Sequence, residues 1–220
     1  MITEIENAVI ARLTAGMGRM VREVVSYGGE LDRDLGNMVR CLPAAWVTFG
    51  GIPRTEPCST SHKRFRAYGR FVVMVGDYNT RSEQAGRQGG ARVDEVGCYR
   101  MIYAVRRLLT MQSLGLEITP FLPGKVRTLY NTQLENRALS VFAIEFDTSW
   151  VETPLAQGAW PAREERDEIP DHLFTRYRGR LAEPEAPVRR IGLSYDPPGI
   201  GSRDHPADLI NLDGDPADES

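Results

Sequence analysis

Apolar and polar positions alternate with two different periods along the first 150 residues, and the switches between them outline a small α/β domain. Ile2, Ile5, Val9 and Leu13 recur at helical spacing, so a helix is expected to open the chain and to stop at Gly16 and Gly18. Thr3 and Glu6 have the spacing of a capping box at its start. A Val-rich stretch from Met20 to Tyr27 predicts a short strand that Gly28-Gly29 ends, and Glu30 to Arg40 reads as a brief helix or an irregular connection. Pro43 leads a strand over 44–50, with Ala45, Val47 and Phe49 on one face and Trp46 and Thr48 on the other. A polar connector containing Pro53, Pro57 and Ser59-Thr60-Ser61 follows.

The second half of this region is more regular. Phe65–Gly76 predicts a central strand, with Phe71, Val73 and Val75 on one face and Arg66, Tyr68, Arg70, Val72 and Met74 on the other. Asn79 to Ala91 is expected to be a polar loop. Arg92–Leu114 is the clearest helix: Asp94 and Glu95 suit its first turn, Cys98, Met101, Ile102, Val105, Leu108 and Leu109 form its apolar stripe, and Gly115 would terminate it. Strands over 125–132 and 138–150 would close the domain, turning at Glu135-Asn136-Arg137. The second is read as half-buried, with Val141, Ala143, Glu145 and Asp147 on its outer face. The expected fold is α+β: a mixed or antiparallel sheet of about four to five strands packed by two helices, with a long extended C-terminal arm.

After Trp150 the periodicity fades. Residues 153–220 contain nine of the 14 prolines, and only 171–178 suggests a turn or two of helix. Such a stretch buries too little apolar surface to fold alone. Yet Trp160, Leu173, Phe174, Tyr177, Ile191, Leu193 and Tyr195 are more apolar anchors than a spacer needs, so the arm is expected to become ordered along a neighbouring subunit. The organisation is therefore a core over 1–152 and a Pro-rich acidic arm over 153–220.

Charge sharpens that division. Residues 1–150 hold 19 Lys+Arg and 15 Asp+Glu, a net +4, whereas 151–220 hold 8 and 15, a net −7. No dense basic face suits specific nucleic-acid binding. No apolar run is long enough for a membrane span, and the acidic start Met1-Ile2-Thr3-Glu4 does not resemble a signal peptide, so the cytoplasm is the expected place of synthesis. Cys41, Cys58 and Cys98 form neither a disulfide framework nor a zinc pattern.

Candidate chemistry is sparse. None of the common hydrolase, nucleotide-phosphate or redox motifs occurs, and His62, His172 and His205 lie far apart in loops. The loop Gly86–Gly90 lacks the spacing of a phosphate cradle, and Asn211–Asp215 lacks the full calcium-loop pattern. Glu145 and Asp147 read as a solvent-facing stripe. No catalytic residue, metal site or cofactor is therefore assigned. Arginine supplies 25 of the 27 basic residues, which codon usage explains simply; Arg is also the cation favoured at interfaces. On that functional reading Arg66, Arg70, Arg81, Arg87 and Arg92, with Trp160, Phe174 and Tyr177 of the arm, are the interface candidates.

The order of elements resembles the tail terminator proteins of tailed phages, with Leu42-Pro43-Ala44-Ala45-Trp46-Val47 and the strand 138–146 in the positions of the lambda-type fold. Ile2-Thr3-Glu4-Ile5-Glu6-Asn7-Ala8, Leu42-Pro43-Ala44 and Asp147-Thr148-Ser149-Trp150 resemble a Mu-like prophage tail family over about residues 1–150. The resemblance implies a structural, non-enzymatic virion protein of the tail or neck, assembled in the host cytoplasm. It implies a homo-hexameric ring that caps the tail tube, and the sheath if the tail contracts, and meets neck or connector proteins. DNA would pass through that ring without specific binding. The rival readings are a head-closure or neck connector protein and a small enzyme with an unrecognised site.

Overall fold

The structure, a computed structural model, describes residues 1–29, 40–79, 87–89, 96–134, 137–183, 190–193 and 208–211. The chain divides into two units, Met1–Pro154 and Leu155–Ser220. In the first unit the order is α1 (Ile2–Met17), a 3-10 turn (Gly18–Met20), β1 (Glu23–Ser26), β2 (Ala44–Pro57), β3 (Phe65–Asn79), α2 (Cys98–Leu109), β4 (Leu122–Leu134) and β5 (Arg137–Glu152). The strands make one five-stranded mixed sheet in the order β1-β2-β3-β5-β4. Only the β1–β2 pair is parallel; the other neighbours are antiparallel. The α+β expectation is met.

The helix-covered face holds the main core. Ile5, Val9, Leu13 and Met17 of α1 and Cys98, Met101, Val105 and Leu109 of α2 pack with Ala45, Val47, Phe71, Val73, Val75, Phe142, Ile144 and Phe146 of the sheet. An aromatic chain runs through it: Phe121 meets Phe71 edge-on at 6.0 Å and Phe146 at 6.1 Å. Gly69 is required here, because a Cβ would lie 2.4 Å from the Trp150 ring.

Several boundaries differ from the sequence reading, each for a local reason. The capping box does not form: Met1 occupies the N-cap of α1 with no side-chain cap bond, and Glu6 accepts a hydrogen bond from the Ser26 hydroxyl instead. Ile2 is exposed. The 3-10 turn takes the residues before Val21, so β1 is shorter than the 20–27 expected. Strand β2 runs on to Pro57, where a connector was expected, by taking register shifts between Phe49 and Arg54. Gly51, at φ 100°, absorbs the bend. Because β1 pairs only Ala44–Val47, the outer side of β2 beyond that point has no strand partner among the described residues, so Pro53 breaks no ladder there.

Helix α2 ends at Leu109, well before Gly115. The chain leaves it because Phe121 draws Met111 and Gln112 into backbone hydrogen bonds of 2.9 and 3.0 Å. Met111 and Leu114 adopt positive φ in the process. The expected first turn at 92–95, the turn at 135–136, most of 79–91 and the connection 30–39 lie outside the described residues.

Strand β5 is central and buried on both faces along Leu139–Phe146, a correction to the half-buried expectation. Its outer face joins Leu42, Ala44, Trp46, Met74, Leu139, Val141 and Ala143 into a second apolar cluster. The second unit contains α3 (His172–Arg176), inside the helical stretch expected, and an antiparallel pair of β6 (Arg190–Leu193) and β7 (Asp208–Asn211) that was not anticipated.

Candidate functional site

Beyond the second apolar cluster, the outer face of the sheet becomes a lattice of charges. The alternation that points Phe71 and Val73 toward the helices turns Arg66, Tyr68 and Arg70 outward, and β5 brings Glu145, Asp147 and Ser149 alongside them in register. The Arg70 guanidinium donates to both Asp147 oxygens at 2.8 and 3.2 Å. Its remaining nitrogen lies 3.1 Å from Glu145, whose other oxygen is 3.5 Å from Arg127 of β4. Asp147's hydrogen bond, opposed by desolvation and reinforced by the charges of Asp147 and Glu145, raises the pKa of Arg70.

Glu145 is therefore no solvent-facing carboxylate. It is 6% exposed, and Gly124 of β4 lies against its backbone so closely that a Cβ there would come within 3.1 Å. With both carboxylates tied to guanidinium groups, this is an ion-paired surface and not an acid–base couple. A second group continues it onto β2: Tyr68 donates to Glu56 at 3.0 Å, and Arg54 stacks 3.9 Å above the Tyr68 ring while pairing with Glu56 at 3.3 Å. Sequence reasoning missed Arg54 and Glu56 because prolines disguised their strand as a connector.

Of the sequence candidates, Arg66 and Arg70 share this face, where Arg66 also donates to the Ser149 hydroxyl at 3.2 Å. Arg87 is half-buried within the short described stretch 87–89. Arg81 and Arg92 lie outside the described residues. Trp160, Phe174 and Tyr177 belong to the second unit. There Trp160 is 45% exposed under the Arg180 guanidinium, 4.5 Å from its ring, and Phe174 is half-buried. Tyr177 stands largely free in solvent. His172 lies at the start of α3 rather than in an open loop, 2.7 Å from Asp167 and 3.0 Å from the Glu164 carbonyl.

Two further groups carry structural meaning. Asp77, buried in β3, accepts the backbone N–H of Gly97 at 2.9 Å and so fixes the entry to α2. Cys98 donates to the Ser140 carbonyl at 3.2 Å; burial, assisted by the Asp77 charge, pushes its thiol up to about 12. A thiol so held is neither a nucleophile nor a ready metal ligand at neutral pH. Among the described residues no group of three or more His, Cys, Asp or Glu side chains could hold a metal ion, and no helix is long and apolar enough to cross a membrane.

These features define a sheet-based module whose outer face is built from paired charges. Residues 1–151, essentially the whole first unit, match the family model described as Bacteriophage Mu, Gp37, and the chain belongs to that family. It is thus a Mu-like phage protein, of a family of structural, virion-related components. No curated protein matches it.

Proposed function

We propose that this protein is a tail terminator, a non-enzymatic subunit that forms a ring on the end of the tail tube and joins it to the neck. The observation that carries this reading is the family match over 1–151, the residues that build the five-stranded sheet. The order helix, short strand, Pro-led strand, long strand, helix and strand pair also agrees with the terminator resemblance.

The sheet supplies what ring closure needs. A cyclic assembly joins two different patches of the same chain. One candidate patch is the outer side of β2 from Thr48 to Pro57, which has no strand partner among the described residues; the other is β4, the terminal strand of the sheet among those residues. The two edges are unlike, and β4 carries Pro123, Lys125 and Arg127, residue types that discourage indiscriminate edge pairing. The ion-paired outer face adds a rigid polar surface for tube, sheath or neck proteins. The ring is expected to be a hexamer whose channel passes DNA without reading it.

Light scattering on the purified full chain, with negative-stain imaging, tests this reading. The expected result is a closed ring, alone or after addition of tube protein. A single subunit that ignores tube protein would overturn it, and a ring that binds only neck proteins would reassign it to head closure.

A further inference from the structure

Helix α2 presents to solvent a face that its own fold uses only in part: Tyr99 meets the Phe142 ring edge-on at 5.8 Å, and beyond that contact the face is open. Tyr99 and Tyr103, four residues apart, are 46% and 70% exposed, and Arg100 and Arg107 are exposed beside them. Tyr103, Arg106, Arg107 and Thr110 line an open hollow of about 400 Å³. Arg106 is steadied by a 3.4 Å contact to the Gly124 carbonyl. No carboxylate among the described residues pairs with Arg100 or Arg107. Favourable interaction with the helix dipole accounts for basic residues in the last turn, and the Phe142 contact for Tyr99, but neither accounts for Tyr103, 70% exposed on the same face. Tyrosine and arginine together are the residues that most often carry binding energy at protein interfaces.

The sequence contains a complementary occupant. Residues 212–220, Leu-Asp-Gly-Asp-Pro-Ala-Asp-Glu-Ser, carry Asp213, Asp215, Asp218 and Glu219 and no Lys or Arg. We infer that the Tyr–Arg face of α2 is the docking surface for the acidic segment 212–220 of a second copy of this chain. The carboxylates pair with Arg100 and Arg107, while the tyrosine rings cover the backbone around Pro216. Contact in this sense strings each subunit to the next, so the inference rests on the self-assembly proposed above and names one of its seams.

The test uses the full chain with a photoreactive benzoylphenylalanine replacing Tyr103, an exposed position, mixed with isotope-labelled full chain. After irradiation, mass spectrometry identifies which segment of which copy is joined. The expected adducts link position 103 of one copy to residues 212–220 of the labelled copy. Replacing Asp213, Asp215 and Asp218 by Asn in the labelled copy, or raising salt to about 0.5 M, lowers their yield by about fivefold or more. Adducts confined to one chain, adducts to another segment, or a yield indifferent to both changes would overturn the inference. Light scattering on the same sample separates the two levels. Assemblies without these adducts refute the docking alone; single subunits without adducts refute the docking too, and refute the ring as well only when they stay single on addition of tube protein.

Discussion

The two faces of the sheet are built on opposite principles. The helix-covered face is almost wholly apolar, with Phe49, Phe71, Phe121 and Phe146 touching in sequence and two helices sealing it. The opposite face is apolar only near Trp46 and Val141; toward Arg70 it becomes a set of ion pairs spread over four strands. Burial of apolar area makes the first face the main source of stability. The second face gains little net stability from its charges, since desolvation offsets much of their attraction. Its geometry suits recognition better than holding the fold together.

That contrast predicts a ranked set of substitution effects. Phe146→Ala, which empties a fully buried site, should cost about 3–5 kcal/mol in urea unfolding. A cost below about 1 kcal/mol would mean that the aromatic chain is not the core. Gly69→Ala pushes a methyl into Trp150 and should cost about 1–3 kcal/mol by the same measurement.

On the outer face, Arg70→Ala leaves Glu145 and Asp147 with reduced compensation. Because the Arg70 side chain is 37% exposed, solvent screening limits the expected loss to about 1–2 kcal/mol. Arg70→Met with Glu145→Met should recover most of that loss while weakening tail incorporation, counted as the fraction of complete particles. If the double variant is as unstable as Phe146→Ala, the charges hold the fold and the contrast is wrong.

Near neutral pH the smallest expected effect concerns Cys98 beneath the helix-covered face, whose titration matters only in alkali. At pH 8 a disulfide reagent should label exposed Cys58 quickly and leave Cys98 unlabelled until unfolding. The folded thiol, raised from 9.0 to about 12, keeps its proton where the unfolded one loses it. Its contribution to stability is therefore intact below pH 9 and falls as pH rises from about 9 to about 12. Alkaline unfolding curves of the wild type and Cys98→Ala should diverge in that window.

Much of the helix-covered face was legible because burial writes a period into the chain. Ile5, Val9 and Leu13, and then Cys98, Met101, Val105 and Leu109, announce their stripes, and Phe71, Val73 and Val75 alternate as a strand must. Phe121 did not announce itself: one aromatic residue between two prolines has no period, yet its backbone bonds end α2 early. The long β2 was hidden by Pro53 and Pro57, which are harmless only on a side that lacks a partner among the described residues, a fact of topology rather than composition. Glu145 misled for a related reason. Alternation correctly put it on the outer face, but burial depended on Arg70, Arg127 and β4, whose register against β5 shifts between Pro123 and Val126, closing over it. The pair β6 and β7 is short, and four-residue strands leave no statistical trace. The interface candidates rested on residue type and on strand face or loop position, so the sequence could name Arg70 without revealing that Asp147 and Glu145 already engage it.

A cap on the end of the tail tube would show itself in tube growth. Purified tube protein from the same phage should be polymerised with increasing amounts of this chain, and tube lengths measured by negative-stain microscopy. Tubes should shorten as the ratio rises, each carrying a ring at one end. Tube lengths unchanged at every ratio, with no density at the ends, would contradict the proposed cap.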